Sequence, residues 1–283
     1  MGRRVLKTRG LSLIELLVAL AVSGIVVAGS YNLFLGQRNT YHAQDQVADM
    51  QQNLRGGIGN MVKEIRMAGF GRISMVLPVT FPGGTFSNVV NPSAATPVSD
   101  SITIVAAIGN TTTLEEVLDK NKIRVSSTSG FNDTTRKYIS IGGVESRIIA
   151  PSGIAGDTIT LTDNLLFNHA PDTPIYGIRA ITYVIQPGPE GKPTLYRDDN
   201  LGGNSPQADN VETLGFEYFD ANGDSIADPI AGVGNIRMVR VTATARTDMP
   251  DPSYEGGSCP SGPHYREREI ATNIQVRNLS LTP

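Results

Sequence analysis

Two places in this chain of 283 residues carry side chains whose types and spacing suggest chemistry. The first is Asp220-Ala221-Asn222-Gly223-Asp224-Ser225-Ile226-Ala227-Asp228. Carboxylate and amide oxygens recur there at alternate positions, with a main-chain carbonyl near the seventh position and a further acid beyond it. A calcium loop gathers hard oxygen ligands in this way. Two features depart from that pattern: Ser225 stands where the sharp-turn glycine would be, and no glutamate closes the loop. The same residues also read as a hairpin turn, with Asn222-Gly223 supplying left-handed backbone. Asp220, Asn222, Asp224 and Asp228 are thus a candidate calcium set, with a plain turn as the alternative, and no other cofactor is expected.

The second place is Glu15, an acid in a long apolar run. A charged side chain at the centre of a membrane helix costs on the order of 2.5–3.5 kcal/mol, and less near the end. The plain reading is a boundary residue wetted by lipid headgroups. Geometry offers a sharper one. Glu15 lies four residues beyond Leu11, so the two share a helix face. It also falls in the first turn, where the helix dipole favours negative charge. A chain cut to begin at Leu11 would hold its free amine near that carboxylate.

Enzyme chemistry finds little support. His42, His169 and His264 are far apart, and none sits in a metal-binding motif such as His-Glu-x-x-His. No Gly-x-Ser-x-Gly elbow occurs. A single cysteine, Cys259, excludes an intrachain disulfide and reads as an inert thiol in a Gly/Pro-rich loop. The formal charge is -3, although Arg3, Arg4, Lys7 and Arg9 crowd the first ten residues. A mildly acidic body does not suit nucleic-acid binding, which needs clustered Lys and Arg.

The elements that must hold Glu15 are easier to read. From Leu16 to Leu35 no residue is charged. Twenty residues at about 1.5 Å each span roughly 30 Å, a bilayer core. The preceding basic residues place the N-terminus in the cytoplasm. The run is too long for the apolar region of a secretory signal peptide. Beyond Gly36 the chain is polar with one apolar stripe: Val47, Met50, Leu54, Ile58, Met61, Ile65 and Ala68. One helix over about 12–68 is expected, with Gly29 and Gly36 as its weak points. Gly56, Gly57 and Gly59 suggest close packing on a sheet. Residues 73–95 look loop-like. Strands are expected at 101–108, 122–127, 137–141, 158–162, 175–186, 194–197, 213–219, 236–246 and 269–279, with a short helix at 113–119. The fold class is α+β: a long N-terminal helix, membrane half plus amphipathic half, on an antiparallel β-sheet head.

Gly10-Leu11-Ser12-Leu13-Ile14-Glu15-Leu16-Leu17-Val18 resembles the prepilin cleavage signal of type IV pilins and type II secretion pseudopilins. Leu11 and Ser12 replace the commoner Phe and Thr, and the proline that major pilins often carry around Asn32 is missing. The resemblance implies a leader, 1–10, removed by a prepilin peptidase between Gly10 and Leu11, and N-methylation of Leu11. It implies that Glu15 docks each new subunit against a neighbour's amine. The expected layout is 11–36 in the membrane, 37–70 as the amphipathic half of the helix, and 71–283 as a periplasmic head. Met50-Gln51-Gln52-Asn53-Leu54-Arg55 and Val62-Lys63-Glu64-Ile65-Arg66-Met67-Ala68-Gly69-Phe70 resemble the PilW group of minor pilins. So do Leu195-Tyr196-Arg197, Val211–Tyr218 and Val276-Arg277-Asn278. This implies a non-enzymatic subunit for pilus assembly. Its expected partners are other major and minor pilins, the inner-membrane assembly platform and membrane lipid; no nucleic acid is expected. It would sit in a bacterial inner membrane and then the pilus. A GspJ-like pseudopilin is the alternative, and a membrane-anchored periplasmic binding module is a third reading.

Overall fold

The structure is a computed structural model that describes residues 13–251, 254 and 264–279. It opens with one α-helix, α1 (Leu13–Met67), which runs unbroken through Gly29 and Gly36. The chain divides into two compact units between Asp49 and Met50. In the first, the apolar side chains from Leu13 to Leu35 are exposed along the helix.

In the second unit, α1 buries the face carrying Met50, Leu54, Ile58, Met61, Ile65 and Ala68. These positions, three and four apart, form the stripe expected of a helix laid on a core. Gly57 is needed for the close approach. A Cβ there would stand 2.9 Å from Ala208 Cβ and 3.2 Å from the Gln207 carbonyl, whereas Gly56 and Gly59 have nothing within 4 Å. The helix stops where Gly69 takes φ +80°, a left-handed conformation natural to glycine at a C-terminus.

Seventeen strands follow among the described residues: β1 (Val79–Phe81), β2 (Gly84–Phe86), β3 (Val90–Pro92), β4 (Val98–Ser99), β5 (Ile102–Ala106), β6 (Thr111–Asp119), β7 (Lys122–Val125), β8 (Tyr138–Ile141), β9 (Glu145–Ala155), β10 (Thr158–Leu161), β11 (Pro174–Gly177), β12 (Arg179–Pro187), β13 (Pro193–Asp198), β14 (Asn204–Asp209), β15 (Val211–Phe219), β16 (Met238–Arg246) and β17 (Glu267–Gln275). All pairings are antiparallel. They form a β1–β2 hairpin, a five-stranded sheet in the order β14-β13-β12-β5-β3, a four-stranded sheet in the order β17-β16-β15-β4, and a closed barrel in the order β10-β7-β6-β11-β8-β9. The class is α+β, a long helix packed on antiparallel sheet.

The barrel is an insertion. β5 and β12 are hydrogen-bonded neighbours, Arg179 opposite Ala106 and Tyr183 opposite Ile102, yet the whole barrel lies between them in sequence. The two passes of chain meet at a neck where Gly109 N donates to Gly177 O and Gly177 N to Asn110 O, both at 2.7 Å. A Cβ on Gly109 would approach Gly177 O to 2.7 Å, so the neck excludes a side chain there. The barrel has its own core: Leu114, Ile123, Val125, Phe131, Ile139, Ile141, Ile149, Ile159, Leu161 and Ile175.

Four expectations need correction. Residues 113–119 belong to strand β6, not a short helix, because β7 and β11 take up their backbone groups. Residues 175–186 are two strands in different sheets, divided at buried Ile178. The loop-like 73–95 contains a 3₁₀ turn, Ile73–Met75, and the short strands β1 to β3. The last run, 269–279, ends as a strand at Gln275 and closes in a 3₁₀ turn, Arg277–Leu279.

Candidate functional site

Glu15 lies in the first turn of α1, where the unsatisfied N–H groups favour an acid. It is exposed, as are Leu13, Ile14, Leu16 and Leu17 around it. The helix contains a stretch long and apolar enough to cross a membrane. An exposed apolar surface of this extent marks a contact with a membrane or another protein. Gly10 and Leu11, between which the cut is expected, lie outside the described residues, as does Cys259.

At the other end of α1 the chain segments singled out in the sequence converge. Glu64 accepts hydrogen bonds from Arg197 of β13, through Nε at 3.0 Å to each carboxylate oxygen and through Nη2 at 2.8 Å. The Tyr183 hydroxyl of β12 donates to the same carboxylate at 2.7 Å. Tyr183 is fully buried, and burial first, then the Glu64 charge, pushes its phenol far above the ordinary range. The phenol therefore stays a donor, and the helix is tied to the five-stranded sheet by a planar, charge-assisted clamp. Asn278 donates to the Met67 and Ala68 carbonyls at 3.4 and 3.3 Å, capping the helix end. Gly69 N donates to Val105 O, and Phe70 O accepts from Ala107 N. The Gly71 carbonyl accepts from Ser140 and Ser146 of the barrel. The segment 66–71 is thus the joint between helix, sheet and barrel. Glu64 and Arg197 stood in the sequence as motif residues without a role; their pairing, 133 residues apart, had no local signal.

The candidate calcium residues lie in the loop between β15 and β16. Asp220 Oδ1 accepts from Asn222 N at 2.8 Å and Asp224 N at 3.0 Å, and Gly223 has φ +87°. Asp228 Oδ1 accepts from Ile230 N and Ala231 N, both at 3.0 Å. Each aspartate so organises its own turn. Among the described residues no group of three or more His, Cys, Asp or Glu side chains gathers as a metal site.

The histidines do not come together either. His42 accepts from Arg38 on α1, while His169 meets a buried ion cluster in the barrel. There Glu145, wholly buried, is bridged by Arg147 and by His169 Nε2 at 2.9 Å. It also accepts from Leu166 N at 2.7 Å and Phe167 N at 3.2 Å. Nothing in the sequence flagged Glu145.

Residues 6–31 match the family described as the prokaryotic N-terminal methylation motif. No curated protein and no solved structure matches the chain. The chain therefore carries the N-terminal signal of the type IV prepilin and pseudopilin family, whose members are processed at that motif.

Proposed function

We propose that this protein is a minor pilin: a structural subunit that helps initiate or assemble a type IV pilus and acts by packing rather than by catalysis. The observation that carries the reading is the methylation motif over residues 6–31, with Glu15 in the first turn of an exposed apolar helix. In this account a prepilin peptidase removes 1–10 at the Gly10–Leu11 bond and Leu11 is N-methylated. Residues 11–36 hold the chain in the inner membrane, 37–70 continue the helix, and 71–283 form the periplasmic head. Glu15 then neutralises the amine of a neighbouring pilin as the subunit leaves the membrane for the filament.

The Arg66-Met67-Ala68-Gly69-Phe70 ending supports the pilus reading over a GspJ-like pseudopilin, because it is the part of the sequence that resembles the PilW group. Residues in that ending contact Asn278, and Glu64 just before it contacts Arg197. The loop holding Asp220, Asn222, Asp224 and Asp228 remains a proposed calcium site, to be tested by titration. The direct test of function is gene deletion followed by counting surface pili. Loss of pili, restored by the parent gene and not by Glu15→Ala, is expected; normal piliation in the deletion strain overturns the assembly role.

A further inference from the structure

The barrel presents an apolar surface that it holds rigid at some expense. Leu166 is 67% exposed, Phe167 44% and Val144 51%. Single exposed apolar residues are ordinary on a protein surface. Here two are consecutive, and their backbone is not left to fluctuate. The Leu166 and Phe167 amides are fixed by the two oxygens of Glu145, and that carboxylate is in turn fixed by Arg147 and His169. Val144 directly precedes Glu145 and follows Gly142 and Gly143, both left-handed at φ +61° and +72°. Burying a carboxylate, a guanidinium and an imidazole to fix a loop is costly unless every partner is supplied.

A cation completes the surface. Arg72 is exposed and sits in the left-handed region at φ +55°, unusual for a residue with a side chain. Its guanidinium stands 5.7 Å from the centre of the Phe167 ring. Among the described residues it has no carboxylate partner. The surface therefore offers apolar contact with one positive charge beside an aromatic ring, and that charge is an arginine, a residue type enriched at the centres of interfaces.

We propose that Leu166, Phe167 and Arg72 form a docking surface for the head of a neighbouring filament subunit, which places an apolar side chain on Leu166 and Phe167 and a carboxylate on Arg72. The inference rests on the filament reading above. The charge pattern argues for a protein partner over an anionic bilayer. The loop 162–173 contains Asp163 and Asp172 and no Lys or Arg, and a lipid surface would need several cations.

The test is site-specific photo-crosslinking of the full chain in cells, with a photoreactive phenylalanine analogue at Leu166 and a control at exposed Val98 on β4. Adducts are identified by mass spectrometry. The expected result is a Leu166 adduct with a protein that itself carries an N-terminal methylation motif. It should be at least tenfold weaker in Arg72→Glu, with chain level and leader removal unchanged. Should Arg72→Glu lower the chain level, Arg72→Gln is read instead, with the same loss expected. Adducts with lipid or with a protein lacking the motif overturn the inference. So does the absence of an adduct when the chain is present in sheared filaments, an outcome that leaves the filament reading standing. A chain that keeps its leader and is missing from filaments refutes the filament reading first, and the docking surface with it.

Discussion

Replacing Glu64 with alanine tests whether the helix is locked to the head by a specific polar clamp. The carboxylate accepts from Arg197 Nε and Nη2 and from the Tyr183 hydroxyl. Hydrogen bonds to charged groups contribute about 1.5–3 kcal/mol each, and a buried hydroxyl left without a partner costs about 1–3 kcal/mol. The Arg197 and Glu64 side chains are 27% and 22% exposed, so water recovers part of the loss at that pair. Tyr183 is fully buried and has no such relief. A destabilisation of about 3 kcal/mol follows. In a folded unit of roughly 150–250 residues, that lowers Tm by about 6–12 °C. The assay is thermal unfolding of the full chain in detergent, followed by circular dichroism, with Tyr183→Phe, Arg197→Ala and the Glu64/Arg197 double variant alongside. Tyr183→Phe should cost less, about 1 kcal/mol, because one hydrogen bond is lost and the acceptor stays paired. The double variant should be less destabilised than the sum of its singles, with a coupling of about 1 kcal/mol or more. A Glu64→Ala Tm within about 1 °C of the parent, or strictly additive singles, would refute the clamp.

Other outcomes follow from the same structure. Gly57→Ala should destabilise by about 1–3 kcal/mol through overpacking against Ala208. Gly56→Ala and Gly59→Ala, in open space, should stabilise by up to about 1 kcal/mol; denaturant melts of the three variants decide it. Glu145→Leu should cost about 3–5 kcal/mol by stranding buried Arg147 and His169, read as a lower midpoint and faster proteolysis around 162–173. Alkaline pH should weaken the fold. Burial first, joined at Tyr183 by the Glu64 charge, pushes the Tyr183 and Tyr218 phenols upward, so the folded chain keeps both protons while unfolded tyrosines lose theirs near pH ~10. Stability is therefore intact below pH ~10 and falls as pH rises beyond it, and a spectroscopic tyrosine titration should show two phenols that ionise only on unfolding. Calcium titration by calorimetry should give heat at millimolar metal if the Asp220 loop binds it, and Asp220→Ala should abolish that heat; a flat titration ends the proposal.

The helix was legible because its signals are local and repeated. The uncharged run to Leu35 and the three-and-four spacing from Met50 to Ala68 each predict one exposed or one buried face, and the structure has both. Strands β15 and β16 were also legible, since Val239, Val241, Ala243 and Ala245 alternate with polar residues on a sheet with one wet face. The barrel was legible only in pieces: β7, β8 and β10 lie where strands are expected, at 122–127, 137–141 and 158–162, whereas β6, β9 and the closure of the six strands were missed. Strand β9, in turn, carries Glu145 and Arg147 into the interior as a mutually satisfied pair, which reads as a polar loop. Residues 113–119 resembled a helix because Leu114, Glu115, Glu116 and Leu118 favour one, and register shifts against β7 break the period-two pattern of the strand. The convergence of Glu64, Arg197 and Asn278 at the helix end is a long-range fact that no window along the chain contains.

The measurement closest to the central claim is intact-mass and N-terminal peptide analysis of the protein taken from its native membrane. A mature chain that starts at Leu11 with one methyl group on its amine is the predicted result. A chain that still begins at Met1, or one cut beyond Leu35, would contradict the filament account, because the amine that Glu15 is placed to meet would not exist.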